Sequence, residues 1–327
     1  MVKVTICGAA GGIGQPLSLL MKQSNDIDHL SLFDIANAKG VASDISHINT
    51  HSKVTGHNGP QEVKEALENS DIVLVSAGVP RKPGMERDDL FKVNAGIVRD
   101  ICTSIATYSP NALVCIISNP VNATVVVASE VFKKYGVYNP RKIFGVNTLD
   151  LIRSSSFLAE LIHADPASIE VPVIGGHNGT TIIPIFSQVE SAKKLSEEEI
   201  AQITKRVQYA GDEVLKAKEG KGTATLAMAH AGARFALKLV DAVANNVTHT
   251  ECSYISLLAD PEGSKEMERI YGQIGYFAVP IELGKEGIKR IIPIKNISTV
   301  EFTMLHHAVI ELKASIAQGV QFSEDQQ

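Results

Sequence analysis

Along the first half of the chain, short apolar runs alternate with stretches whose apolar residues recur at helical spacing. Residues 2–7, 30–33, 72–76, 113–118 and 142–144 are nearly continuous in Val, Ile and Leu, as strands buried on both faces tend to be. Between them, residues 13–23, 61–69, 89–107 and 121–134 read as helices. Strand–helix alternation of this kind predicts a parallel, doubly wound sheet with right-handed crossovers. After residue 147 the rhythm changes to a helix over 148–162, a strand pair near 169–174 and 181–186, and then long helices, with short strands and loops over 246–292. Two helix starts carry capping boxes, Ser196 with Glu199 and Ser298 with Glu301. The last helix sets Phe302, Leu305, Val309, Leu312 and Ile316 in one apolar stripe. The expected fold class is α/β, with a parallel sheet domain over 1–147 and an α+β domain over 148–327.

Length and composition narrow the function classes. A chain of 327 residues has room for two domains, and 44% hydrophobic with 20% charged residues is ordinary for a globular protein. With 31 basic against 36 acidic residues and no block of like charge, nothing in the sequence marks a nucleic-acid or membrane-surface partner. The apolar runs fall far short of the ~18 residues that a membrane span needs. Cys7, Cys102, Cys115 and Cys252 are widely separated with no C-x-x-C, which suggests buried hydrophobes in a reducing compartment. Val2 already begins the first strand with no signal peptide before it, so a cytoplasmic location is expected, with a processed mitochondrial-matrix form as the alternative.

Three clusters carry candidate chemistry. Gly8-Ala9-Ala10-Gly11-Gly12-Ile13-Gly14 follows the first strand and opens a helix. Glycines at such a turn allow close backbone approach to a pyrophosphate, and the helix start aims free N–H groups at the anion. Asp34 ends the second strand, 20 residues past Gly14, where a carboxylate can bond an adenosine ribose and repel a 2′-phosphate. The first domain is therefore expected to be Rossmann-type, with NAD favoured over NADP. In the second cluster, His177 lies between glycines beside a strand pair, while Asp150 and Arg153 share one face of the 148–162 helix. Imidazole, carboxylate and guanidinium together suit a hydroxy-acid substrate: His177 takes the proton, Asp150 orients it, and Arg153 grips a carboxylate. In the third, the loop from Gly78 to Arg87 follows the 72–76 strand at the carboxyl edge of the sheet, and its Arg81 and Arg87 stand above an anion site like a hinged lid.

These clusters resemble NAD-dependent malate dehydrogenases of the mitochondrial and enterobacterial type, within the lactate/malate dehydrogenase superfamily. The pieces are G-A-A-G-G-I-G, A-G-V-P-R-K-P-G-M-E-R-D-D-L-F, S-N-P-V-N, N-T-L-D-L-I-R and V-P-V-I-G-G-H-N-G. The likeness runs from Val2 into the final helix and weakens between about 246 and 280. It implies His177 as proton acceptor with Asp150 as its partner, and Arg153 on the carboxylate next to the reacting carbon. It implies that Arg81 and Arg87 close over a dicarboxylate, with Arg81 on the distal group. It also implies that Asn119 contacts substrate and nicotinamide, that Asn94, Ile117 and Ser118 line the cofactor, and that Met228 packs near the nicotinamide. Lactate dehydrogenases of the superfamily carry glutamine where Arg81 stands. Two small departures, Thr180 and Asn147, touch no catalytic role. The resemblance further implies a homodimer with one helix from each half pairing across a two-fold axis. The Asn119–Pro120 bond is expected to be cis.

The implied reaction is reversible hydride transfer between L-malate and NAD. Its rivals are a dehydrogenase of lactate or another 2-hydroxy acid, and a non-catalytic NAD-sensing module, which would not need His177, Asp150, Arg153 and Arg81 together. No metal is expected, because no H-E-x-x-H spacing occurs and adjacent His306 and His307 cannot share one helix face.

Overall fold

The computed structural model describes residues 1–80 and 87–325, with the main chain alone at 87 and 88. In chain order the first half runs β1 (Lys3–Cys7), α1 (Gly14–Lys22), β2 (His29–Asp34), α2 (Ala38–Ser46), β3 (Lys53–Asn58), α3 (Val63–Leu67), β4 (Ile72–Val75), α4 (Arg87–Tyr108), β5 (Leu113–Ile116), α5 (Val121–Lys134) and β6 (Ile143–Gly145). The second half runs α6 (Thr148–Ile162), β7 (Val173–Gly175), β8 (Ile182–Pro184), α7 (Glu197–Ala217), α8 (Leu226–Asn245), β9 (His249–Ser256), α9 (Pro261–Tyr271), β10 (Tyr276–Gly284), β11 (Gly287–Ile291) and α10 (Thr299–Glu324).

The order β3-β2-β1-β4-β5-β6 is parallel throughout, a Rossmann-type doubly wound sheet. Every residue of β4 and β5 is buried, which explains their unbroken Val/Ile/Leu/Cys composition. Chain order reverses between β1 and β4, so Cys7 and Val75 end side by side at the carboxyl edge, the switch point where such sheets take ligands. The second half extends the same sheet. β9 joins β6 antiparallel at Gly145 and Tyr254, β10 pairs with β9 along its length, and β7 with β8 completes that edge.

Several elements differ from the sequence expectation. β3 and α2 are additional. β3 is an edge strand with polar, half-buried residues, and α2 buries only small or single aliphatic groups such as Ala38, Val41, Ala42 and Ile45. The stretch expected as short strands and loops instead holds strands of eight and nine residues, with a helix between them. That helix is capped by Asp260, with Pro261 in its first turn. Both capping boxes form as expected. In α10 the apolar stripe starts one turn late: Phe302 is 38% exposed, edge-on to His306, while Leu305, Ala308, Val309 and Leu312 face the core. Its first turn is held instead by buried Glu301, whose carboxylate accepts hydrogen bonds from the Ser187 amide and hydroxyl. All four cysteines are buried and unpaired. Among the described residues no helix is long and apolar enough to cross a membrane.

Candidate active site

At the end of β1 the chain turns sharply. The amides of Gly8 and Ala9 both donate to the Phe33 carbonyl, at 2.9 and 3.1 Å. Gly8 adopts φ +89°, and a Cβ there would lie 2.4 Å from the Ala77 amide nitrogen. At Gly14 a Cβ would lie 2.0 Å from the Gly8 carbonyl oxygen, so α1 can start flush against the turn only with glycine. Exposed Gly11 and Gly12 stand at the tip. α1 has no side-chain cap and no acid in its first turn. The Gln15 and Leu17 amides bond the Gly11 and Ile13 carbonyls and Pro16 has none, so the turn amides of Gly12 and Ile13, the Gly14 amide and the positive end of the helix are what face an external anion. Asp34 is already oriented: Oδ2 accepts from the Ala10 amide at 2.9 Å and Oδ1 from the Ile35 amide at 2.7 Å. Each oxygen keeps a second lone pair for a ribose hydroxyl. A dinucleotide fits this cradle, with pyrophosphate at the glycine turn and adenosine ribose at Asp34.

The second cluster assembles from the other half. α6 carries Asp150 in its first turn and Arg153 one turn on, and β7 leads through Gly175 and Gly176 into His177. His177 Nδ1 meets Asp150 Oδ2 at 2.5 Å, with the side chains 8% and 0% exposed. A carboxylate only accepts, so Nδ1 is the donor in this pair, and in the neutral tautomer of the imidazole that leaves Nε2 as a lone pair. Among the described residues Nε2 has no partner. Asp150 Oδ1 is buried without a partner, as are the Asn147 carboxamide and the Thr148 hydroxyl beside it. The carboxylate therefore leans on the imidazole and on the α6 N-terminal dipole for charge compensation.

Burial lowers the Arg153 guanidinium below its usual range, with Asp150 and Glu213 opposing the shift. No hydrogen bond or ion pair reaches that guanidinium among the described residues. A largely desolvated guanidinium with no direct ion pair, on the same helix face as Asp150, suits a substrate carboxylate.

The remaining expected site residues gather at the carboxyl edge of β4 and β5. Ser118 is buried, and its hydroxyl donates to the carbonyls of Ala77 and Val75. Asn119 is exposed, and its bond to Pro120 is cis. The Asn94 carboxamide is taken up by main chain: Oδ1 accepts from the Val79 amide at 2.8 Å, and Nδ2 donates to the Asn119 carbonyl at 2.7 Å. It serves the site through those two backbones. Ile117 reaches α8, where a Cβ at Gly232 would lie 3.1 Å from its Cδ1. Met228, buried one turn earlier, lies along the same α8 face. Arg81 lies outside the described residues, and the side chain of Arg87 is likewise not described. One residue at the site escaped the sequence reading. Asn122, two positions past Pro120, accepts the His177 amide on its Oδ1 at 2.8 Å. It stood inside the quoted S-N-P-V-N piece, but its partner is 55 positions away and only the folded chain brings them together.

Two family descriptions match almost end to end: lactate/malate dehydrogenase, NAD binding domain, over residues 2–145, and lactate/malate dehydrogenase, alpha/beta C-terminal domain, over residues 147–323. Over 320 residues the chain is 51% identical to the mitochondrial malate dehydrogenase of Caenorhabditis elegans, covering 98% of this chain and 90% of that protein. Among solved structures, the apo malate dehydrogenase of Picrophilus torridus superposes with a TM-score of 0.84 at 25% identity, over 100% of this chain and 99% of that one. The lactate dehydrogenase of Cryptosporidium parvum, solved with lactic acid and nicotinamide adenine dinucleotide, gives a TM-score of 0.81 at 26% identity over 97% of each chain. The same backbone is thus shared by enzymes named for a dicarboxylate and for a monocarboxylate, so side chains must separate them.

Proposed function

The chain belongs to the lactate/malate dehydrogenase family, and we propose that in its NAD-dependent interconversion of L-malate and oxaloacetate His177 takes and returns the proton. The observation that carries this reading is the buried His177–Asp150 pair beside an unpaired, half-buried Arg153. Nε2 accepts the hydroxyl proton of malate while Asp150 holds the ring and stabilises the imidazolium that results. Arg153 grips the carboxylate next to the reacting carbon and fixes the face that is presented. Arg81 and Arg87 take the distal carboxylate. NAD, when bound, supplies the hydride acceptor. Gly8 to Gly14 hold its pyrophosphate, Asp34 holds the adenosine ribose, and Ile117, Ser118, Asn119, Asn94 and Met228 shape the nicotinamide side. The test is NADH oxidation with oxaloacetate and pyruvate measured side by side. Oxaloacetate is expected to have the higher kcat/KM by at least about 100-fold, the size of one well-placed charge pair. Equal values would replace this reading with a dehydrogenase of monocarboxylates.

Cofactor choice is tested at β2. Ile35 is 83% exposed and can host a cation beside the ribose. Asp34→Ser with Ile35→Arg keeps an acceptor for the Ala10 amide, removes the charge that repels a 2′-phosphate, and adds one that attracts it. The NADPH to NADH ratio of kcat/KM should rise by at least about tenfold. If the unmodified enzyme already uses both cofactors equally, Asp34 does not select.

A homodimer is proposed by resemblance, and a monomeric mass in solution would exclude it. For the compartment, the Caenorhabditis elegans relative is a mitochondrial protein, which supports the mitochondrial alternative over the cytoplasmic expectation.

A further inference from the structure

We propose that Asn122 is a positioning residue, whose carboxamide, closed on Thr181, sets the main chain of His177 and so keeps the imidazole aligned with Asp150. The inference rests on the reading of His177 given above. Asn122 sits in the first turn of α5 and is 2% exposed. Its Oδ1 accepts from the His177 amide at 2.8 Å, and its Nδ2 donates to Thr181 Oγ1 at 3.2 Å. The Thr181 hydroxyl donates its single proton to the Asn178 carbonyl at 2.7 Å and accepts from the Asn178 amide at 3.1 Å. Every donor in this ring finds an acceptor, which also fixes the amide orientation: flipped, Nδ2 would face the His177 N–H.

No other hydrogen bond from outside residues 175–181 reaches the main chain of His177 among the described residues. The fit is tight. A Cβ at Gly176 would lie 2.7 Å from each of Asn122 Oδ1, Thr181 Oγ1 and Leu312 Cδ2, so the segment passes directly against the carboxamide. The main-chain carbonyl of Asn122 is itself held by the Tyr254 hydroxyl at 3.2 Å. Asn122 belongs to the stretch matched as NAD-binding and His177 to the stretch matched as the C-terminal domain. Asn119, three residues earlier and just before the helix, is exposed. A single helix start therefore references the proton acceptor to the half that holds the cofactor. Misplacement of a reacting group by about 1 Å can cost on the order of 100-fold in rate.

The test uses the full-length enzyme with Asn122→Ala, Thr181→Val and Thr181→Ser, and His177→Asn as control. Single-turnover oxidation of bound NADH by oxaloacetate is followed by stopped flow, with NADH affinity and Tm measured alongside. Asn122→Ala and Thr181→Val are expected to slow the turnover rate at least about tenfold at full amplitude, with NADH Kd within about twofold of the parent. Thr181→Ser, which keeps the hydroxyl, should recover most of that rate. A loss of folded protein alone would lower the amplitude and leave the rate, and that result overturns the proposal, as does a Thr181→Val rate equal to that of Thr181→Ser. If Asn122→Ala does not fold, the Thr181 pair decides by the same criteria. An active His177→Asn enzyme would sink the parent reading, whereas an inactive one with an unimpaired Asn122→Ala enzyme would sink this inference alone.

Discussion

His177→Asn is expected to lower turnover by about 10²–10⁴-fold, the usual worth of a general acid–base group, while NADH still binds. Asparagine can still donate a hydrogen bond toward Asp150, so the substitution removes proton transfer with little change in shape. What it cannot do is hold a proton near neutral pH. On the proposed role, the ring is neutral when malate is oxidised and protonated when oxaloacetate is reduced. The two directions should therefore show opposite pH dependences in binding the acid substrate, and both dependences should vanish in the variant. The buried Asp150 carboxylate is left with a weaker partner, and its Oδ1 already has none, so some loss of Tm is expected too. NADH binding measured by fluorescence separates a chemical defect from a folding one. A well-folded variant that keeps more than about a tenth of the parent turnover would remove His177 from the proton-transfer role.

What could be read in advance follows burial. The central strands are buried on both faces, so composition alone marks them. β3 sits at the sheet edge, and its Lys53-Val54-Thr55-Gly56-His57-Asn58 reads as loop because one face never needed to be apolar. β9 hides for another reason: Glu251 lies within it, nearly fully buried, neutralised by Arg234 and Lys238 from α8. A polar residue satisfied by a distant element breaks the apolar pattern without breaking the strand. The site divides in the same way. His177, Asp150 and Arg153 could be singled out because glycines flank one and a helix face joins the others. Asn94 is reached only through the family resemblance and Asn122 not at all, because their carboxamides act on main chain far away in sequence, through partners that no local pattern encodes.

Arg81→Gln should lower kcat/KM for oxaloacetate by at least ~10²-fold, about 3 kcal/mol for one charged pair, and raise activity on pyruvate. Oxaloacetate and pyruvate share the keto-acid end, so His177 and Arg153 can treat them alike. They differ by one carboxylate, and only a positioned cation makes that difference large. A single guanidinium at Arg153 is matched by a single carboxylate, so the second needs a second cation. Arg81 follows Val79 by two residues, and the Val79 amide is tied at 2.8 Å to Asn94, which also holds the Asn119 carbonyl. Val79, the second residue before Arg81, is therefore anchored at the rim of the site. With water excluded, a guanidinium paired to the distal carboxylate is strengthened, while with pyruvate the same charge is left without a partner. One residue thus attracts the dicarboxylate and rejects the monocarboxylate, and neutral glutamine loses both effects together. Both substrates are assayed on parent and variant at one pH and one salt concentration, because an ion pair is screened by added salt. If the ratio of the two kcat/KM values does not move toward pyruvate, another residue carries the discrimination, and Arg87 is the next to be changed.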